Sequence, residues 1–214
     1  MPRVADHDAR RRQIAEAVRA IVSIEGLDAA TVARVAREAG FSVGLVQHYF
    51  PGKDALLLFA YEHVMARIGA RTADRIAEGE SARSSIGAVV RAALTELLPL
   101  DEERRSEYRV VHAFAGRSLE HPGFVRTAAA TSARLRSELA TAVTNGKECG
   151  EVEPETEAQR AAARILAVGE GLAAQVHRDP KAAVGATTLA DAADDVLGPV
   201  VDGVFSGECR QYRR

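Results

Sequence analysis

Tryptophan is absent from the 214 residues, and there are only two cysteines, two methionines and 5% aromatic residues. Two cysteines, Cys149 and Cys209, cannot build a disulfide-rich scaffold and fit a reducing cytosol. No stretch offers about 18 uninterrupted apolar residues, and no apolar run of signal-peptide length follows the basic start MPRVADHDARRRQ. The expectation is a cytoplasmic chain with no membrane partner. Catalytic and metal signatures are missing as well: there is no HExxH, no CxxC pair, no P-loop and no GxGxxG after a strand. Carboxylate pairs such as Glu102-Glu103 and Asp194-Asp195 read as solvated helix charges. An enzyme, a cofactor and a metal are therefore not expected, although an all-helical enzyme stays open as a rival.

Charge of one sign is also scarce. The net charge of −2 argues against a protein that coats nucleic acid, but residues 1–53 hold eight Arg and Lys against six acids. That sign suits an N-terminal part facing an anion and a remainder that does not.

What the chain does have is helical spacing almost everywhere, with no alternating strand pattern. The periodicity predicts an all-α protein of about nine helices, with a three-helix head at 1–53 and a larger body at 54–214. A first helix spans about 8–25 and stops at Gly26, short helices begin at Thr31 and Ser42, and a long one starts at Lys53 and breaks near Gly79. Later helices are expected at about 82–98, 101–119, 122–146, 155–178 and 185–206, separated by Pro99, His121-Pro122, Asn145-Gly146 and Asp179-Pro180.

Thr31 to Phe50 has the spacing of a helix-turn-helix. Small Ala36 sits where the next helix crosses, Gly40 can take the positive φ of a sharp turn, and Ser42 is a good N-cap. Val46 and Phe50, four apart, would face Ile14, Val18, Val32 and Val35, leaving Val43, Gly44, Leu45, Gln47 and His48 outside. Such a helix enters the major groove by its N-terminal end. Val43 and Leu45 could meet thymine methyls and Gln47 an adenine edge, while Gly44 removes a side chain where backbones approach. Thr31, Ser42, Tyr49 and Lys53 lie where hydroxyls, helix amides and an ammonium could hold phosphates. His48 has a second reading as a packing or capping residue. Arg10, Arg11 and Arg12 read either as a basic arm or as a solvated helix start.

The run RRQIAEAVRAIVSIEGLDAATVARVAREAGFSVGLVQHYFPGKDALL resembles the DNA-binding head of the tetracycline-repressor (TetR) family: a first helix, G, T opening the second helix, A-x-x-A-G, S-x-G-x-V, then H-Y-F-x-x-K-x-x-L. The resemblance implies phosphate contacts from Thr31, Tyr49 and Lys53 and base contacts from Val43, Gly44, Leu45 and Gln47. Family members often carry Thr at the place of Leu45 and Tyr at that of Gln47, so no operator sequence carries over. The later region beginning YRVVHAFAGRSLEHPGF resembles the C-terminal type of the betaine-pathway repressor branch. It does not carry choline or betaine with it, and without Trp no aromatic cage for a quaternary ammonium is visible.

One helix-turn-helix reads too little DNA to be selective, and dimers solve this with two half-sites. The stripes Ile165, Gly169, Leu172 and Leu189, Ala193, Val196, Leu197, Val200, Val204 are expected to form a homodimer four-helix bundle, or else to complete the protomer's own core. Tyr61, Met65, Ile68, Tyr108, His112 and Arg117 form a polar-aromatic set that could line a small-molecule effector pocket, or fill the core. The expected function is a ligand-responsive repressor that binds an inverted-repeat operator in double-stranded DNA. The alternatives are an all-helical interaction or small-molecule-binding protein with secondary DNA binding, and a redox switch through Cys149 and Cys209. For the cysteines, the structural reading is the simpler one.

Overall fold

The computed structural model describes residues 2–119 and 121–210, with side chains from residue 7 onward. Nine α-helices occur among the described residues: α1 (Pro2–Glu25), α2 (Val32–Glu38), α3 (Val43–Tyr49), α4 (Lys53–Ser81), α5 (Ile86–Thr95), α6 (Glu102–Ser118), α7 (Pro122–Cys149), α8 (Ala158–Arg178) and α9 (Ala193–Asp202). A 3₁₀ turn (Leu27–Ala29) follows α1, and a two-stranded hairpin, β1 (Ala183–Val184) and β2 (Thr187–Thr188), precedes α9. None of the helices is long and apolar enough to cross a membrane.

By packing, the chain divides into two compact units. The first comprises Met1–Arg67 and Asp101–Ala128, the second Ile68–Leu100 and Ala129–Arg214. In the first unit, α6 and the start of α7 join the head helices. Its core is built from Ile14, Val18, Val35, Val46, Phe50, Leu56, Ala60 and Val64, all fully or nearly fully buried. Val46 of α3 and its C-cap Phe50 are buried with residues of α1 and α2, whereas Val32 is only half-buried. Tyr61 stacks on Phe114 with ring centroids 3.8 Å apart, and Phe114 meets Phe124 at 4.7 Å. In the second unit, α8 packs on α9 through Ile165, Leu172, Val176, Leu197 and Val201.

Four differences from the periodicity reading have a local physical reason. α1 begins at Pro2, so Arg10–Arg12 lie inside a helix and are not a free arm. α4 does not break at Gly79: a Cβ there would lie 2.3 Å from Val89 Cγ2, so the missing side chain is the place where α5 approaches. α7 continues through Asn145-Gly146 to Cys149, because bare Gly146 is covered by Val152 and Phe205. Finally, the expected helix at 185–206 is mostly hairpin and turn. Val184 and Thr187 pair across a two-residue connection in which Gly185 has φ +61°, and α9 is only ten residues long.

Candidate nucleic-acid interface

The helix-turn-helix is held by local chemistry that leaves its outer face free. Thr31 Oγ1 accepts the Arg34 amide at 3.2 Å and Ser42 Oγ the Leu45 amide at 3.2 Å, each capping its helix. Between them Gly40 takes φ +70° and the Phe41 amide donates to Ala36 O at 2.9 Å, the six-to-one bond that closes a helix through a left-handed residue. Gln13 Nε2 of α1 donates to Ala39 O at 2.9 Å, fixing this turn to the supporting helix.

With those bonds made, Val43, Gly44, Gln47 and His48 stand exposed on α3, and Leu45 is half-buried. A Cβ at Gly44 would meet nothing within 4 Å, so the helix presents open backbone there. His48 packs edge-on against Tyr49 at 5.5 Å. At the rim, Tyr49 shares a 2.8 Å hydrogen bond between its hydroxyl and His7 Nδ1, and Lys53 Nζ lies 3.6 Å from Asp28 Oδ1. Arg11 stacks over Phe59 at 4.4 Å, which removes it from any basic arm.

Within the same unit, α1, α4 and α6 are joined by a charge network that the sequence did not reveal. Arg67 of α4 pairs with Glu16 of α1 at 2.9 Å, with Glu107 of α6 at 3.0 Å, and with Glu103 of α6. His63 Nε2 lies 2.9 Å from the same Glu16 oxygen that faces Arg67, and Arg19 Nε donates to Glu16 at 2.7 Å. Partial burial would raise the Glu16 carboxyl, but hydrogen bonds from Arg19 and His63, with the charges of Arg19 and Arg67, hold it below the ordinary carboxylate value. Glu107 is 1% exposed, and Arg67 is one of the partners that offset the cost of burying its charge. Its signal in the sequence was weak: an acid on an otherwise apolar face of α6, next to Val110 and Phe114.

Six residues are expected from the sequence to line an effector pocket. Tyr61 lies in the aromatic core and Ile68 is buried, while Met65 is half-buried. Tyr108 stacks on His112, which is exposed, and Arg117 pairs with Asp54 at 3.2 Å. Among the expected dimer residues, Ile165, Gly169, Leu172, Leu189, Ala193, Leu197 and Val204 are buried within the protomer, where they join α8, α9 and the hairpin. They belong to the protomer's own core because the α8 and α9 stripes face each other. Only Val196, 37% exposed, and half-buried Val200 remain on an outer surface.

A short helix on satisfied caps, with its outer residues free and its inner ones locked to a supporting helix, makes the head a helix-turn-helix DNA-binding unit. The family model of the bacterial regulatory proteins of the tetR family matches residues 14–59, and that described as BetI-type transcriptional repressor, C-terminal, matches residues 87–198. The chain is 32% identical over 173 residues to the HTH-type transcriptional regulator BetI 1 of Chromohalobacter salexigens, covering 80% of this chain and 81% of that one. It is 34% identical over 114 residues to the HTH-type transcriptional regulator PksA of Bacillus subtilis, spanning about half of that protein's length (54%) and 53% of its own. A crystal structure of a transcriptional regulator from Rhodococcus sp. Rha1 superposes with a TM-score of 0.74 at 30% identity, over 91% of this chain and 97% of that one. The chain belongs to the TetR family of transcriptional regulators, with a C-terminal part of the BetI repressor type.

Proposed function

We propose that the chain is a cytoplasmic repressor, without enzymatic activity, that binds an inverted-repeat operator as a homodimer and is released by a small molecule. One observation carries the reading: α3 exposes Val43, Gly44, Gln47 and His48 together while Ser42 caps its Leu45 amide within the chain. In this reading those four residues and Leu45 read bases, and Thr31, Ser42, Tyr49 and Lys53 hold phosphates. Release of Lys53 from Asp28 and of Tyr49 from His7 would accompany docking.

For the partner surface, the outward side of α8 supports close approach of a second helix. Ala163, Ala167 and Gly171 are exposed, and a Cβ at Gly171 would meet nothing within 4 Å. Val196 and Val200 of α9 would join them.

Effector control is proposed to run through Arg67, which ties α1 to α4 and α6 at once. A ligand among Tyr61, Met65, Tyr108, His112 and Arg117 that shifts α6 would change which of Glu16, Glu103 and Glu107 Arg67 can reach. It would act only as far as it prefers the shifted arrangement, typically ~1–3 kcal/mol of coupling. Selection of bound fragments from a random DNA pool tests the reading: an inverted repeat with half-site centres one helical turn or a multiple apart is expected. Retention of no sequence at low salt would sink it.

A further inference from the structure

Cys149 and Cys209 stand sixty residues apart in sequence, yet the fold brings their sulfurs and a Glu151 carboxylate oxygen to within 4.8 Å of one another. Cys149 ends α7, Glu151 sits in the turn that follows, and Cys209 lies on the segment after α9. Backbone pairing holds that segment in place: the Gly207 amide donates to Glu151 O at 2.9 Å and the Arg210 amide to Cys149 O at 2.7 Å. Glycine is needed at 207, since a Cβ there would lie 2.2 Å from Gly150 O. The backbone positions of the three residues are therefore set by the fold.

Glu151 is 1% exposed, and its two oxygens accept the Ile86 amide at 2.8 Å and the Gly87 amide at 3.0 Å at the start of α5. These bonds fix the carboxylate as outer hydrogen bonds fix metal-ligating carboxylates. Cys149 Sγ lies 3.6 Å from Glu151 Oε1. A tetrahedral ion with metal–sulfur bonds of about 2.3 Å and metal–oxygen bonds of about 2.1 Å requires a sulfur–oxygen separation of about 3.6 Å. Two thiols and a buried carboxylate are a donor set for a borderline-soft divalent cation. Burial pushes the Cys149 thiol up to about 11.

We propose that Cys149, Cys209 and Glu151 form a binding site for a divalent cation of the zinc type, which fastens the C-terminal segment to the end of α7 and, through Glu151, to the start of α5. On binding, both thiols lose their protons to solvent, two sulfur–metal bonds and one oxygen–metal bond form, and water fills the fourth position beside half-exposed Cys209. No oxidation state changes. A disulfide between the same sulfurs is the competing outcome, and would need an oxidant that takes two electrons.

The test uses the full chain, reduced and stripped by chelator, titrated under inert gas with Co²⁺ and then Zn²⁺. The expected result is thiolate-to-cobalt charge-transfer absorption that saturates at one cobalt per chain, bleaches on adding zinc, and accompanies a higher Tm. Cys209→Ser, at a half-exposed position, should keep the helical circular dichroism while losing at least half the absorption and weakening cobalt binding roughly tenfold or more. Absence of charge-transfer absorption in reduced wild-type protein overturns the proposal, as does absorption unchanged in Cys209→Ser. Reduced protein that ignores cobalt but loses both free thiols on exposure to peroxide overturns it in favour of the disulfide. DNA selection by the same samples reports on the repressor reading separately.

Discussion

Arg67 Nε donates to Glu107 Oε1 at 3.0 Å, joining a guanidinium about one-third exposed to a carboxylate almost wholly removed from water. A buried charge deprived of its partner is costlier than the pair is valuable. Arg67→Ala should therefore destabilise the first unit by roughly 2–3 kcal/mol, less than the loss of a fully buried pair because Arg67 is partly solvated. Adding Glu107→Leu should recover most of it. Urea unfolding of both variants measures this, and a double variant as weak as the single would show that packing, not charge, is at stake.

Glu16 ties the same network to acid sensitivity. Its folded carboxyl titrates below the ordinary 4.5, so the unfolded chain binds the proton more readily. The stability from this group is complete above about pH 4.5 and is lost as pH falls through the lower folded value. Glu16→Gln should be less stable than wild type at neutral pH and should lose less between pH 6 and pH 3, both being round values that bracket that window. Parallel acid limbs in the two proteins would contradict the assignment.

Lys53, now leaning on Asp28, is the proposed phosphate contact at the end of the recognition unit. Lys53→Ala should weaken binding about equally on every duplex and lower the slope of log K against log salt by about one. Fluorescence anisotropy at several salt concentrations gives the slope, and an unaltered one removes Lys53 from the interface.

Gln47 is the exposed amide on α3 and should act on sequence, not on overall affinity. Gln47→Ala is expected to relax preference at one or two base pairs by about 1–3 kcal/mol and to leave the salt slope alone. A repeated DNA selection that returns the wild-type profile would exclude it as a reader.

Gly79→Ala sets two effects against each other. Alanine favours helix over glycine by about 1 kcal/mol, but its Cβ would fall 2.3 Å from Val89 Cγ2, and such overlap costs about 1–3 kcal/mol. Net destabilisation is expected, turning to net stabilisation when Val89→Ala is added. Thermal melts of the two variants decide between them.

The head was legible because its determinants are local. Thr31 and Ser42 cap within three residues, Gly40 turns on itself, and the Val46–Phe50 spacing marks the buried side of α3. The body was less so, because distant partners decide it. Gly79 and Gly146 look like helix ends until Val89, Val152 and Phe205 occupy the space they leave. Val184 to Thr188 was too short to show alternation, and Gly185 was the only sign of its turn. The α8 and α9 stripes were visible as apolar faces, but periodicity cannot distinguish a face turned to its neighbour from one turned to a second copy. Arg67, Glu16 and Glu107 lie on three helices, and no spacing rule connects them.

The recognition helix has seven residues. At 1.5 Å per residue it is about 10 Å long, the rise of about three base pairs. Side chains on so short a rod can inspect only a few steps of each half-site, so most of an operator's length goes untouched by them. For the proposed dimer, discrimination along the remainder falls to the distance between half-sites and to how readily the intervening duplex bends or twists, and point changes in that untouched stretch should alter affinity as much through DNA stiffness as through lost contacts.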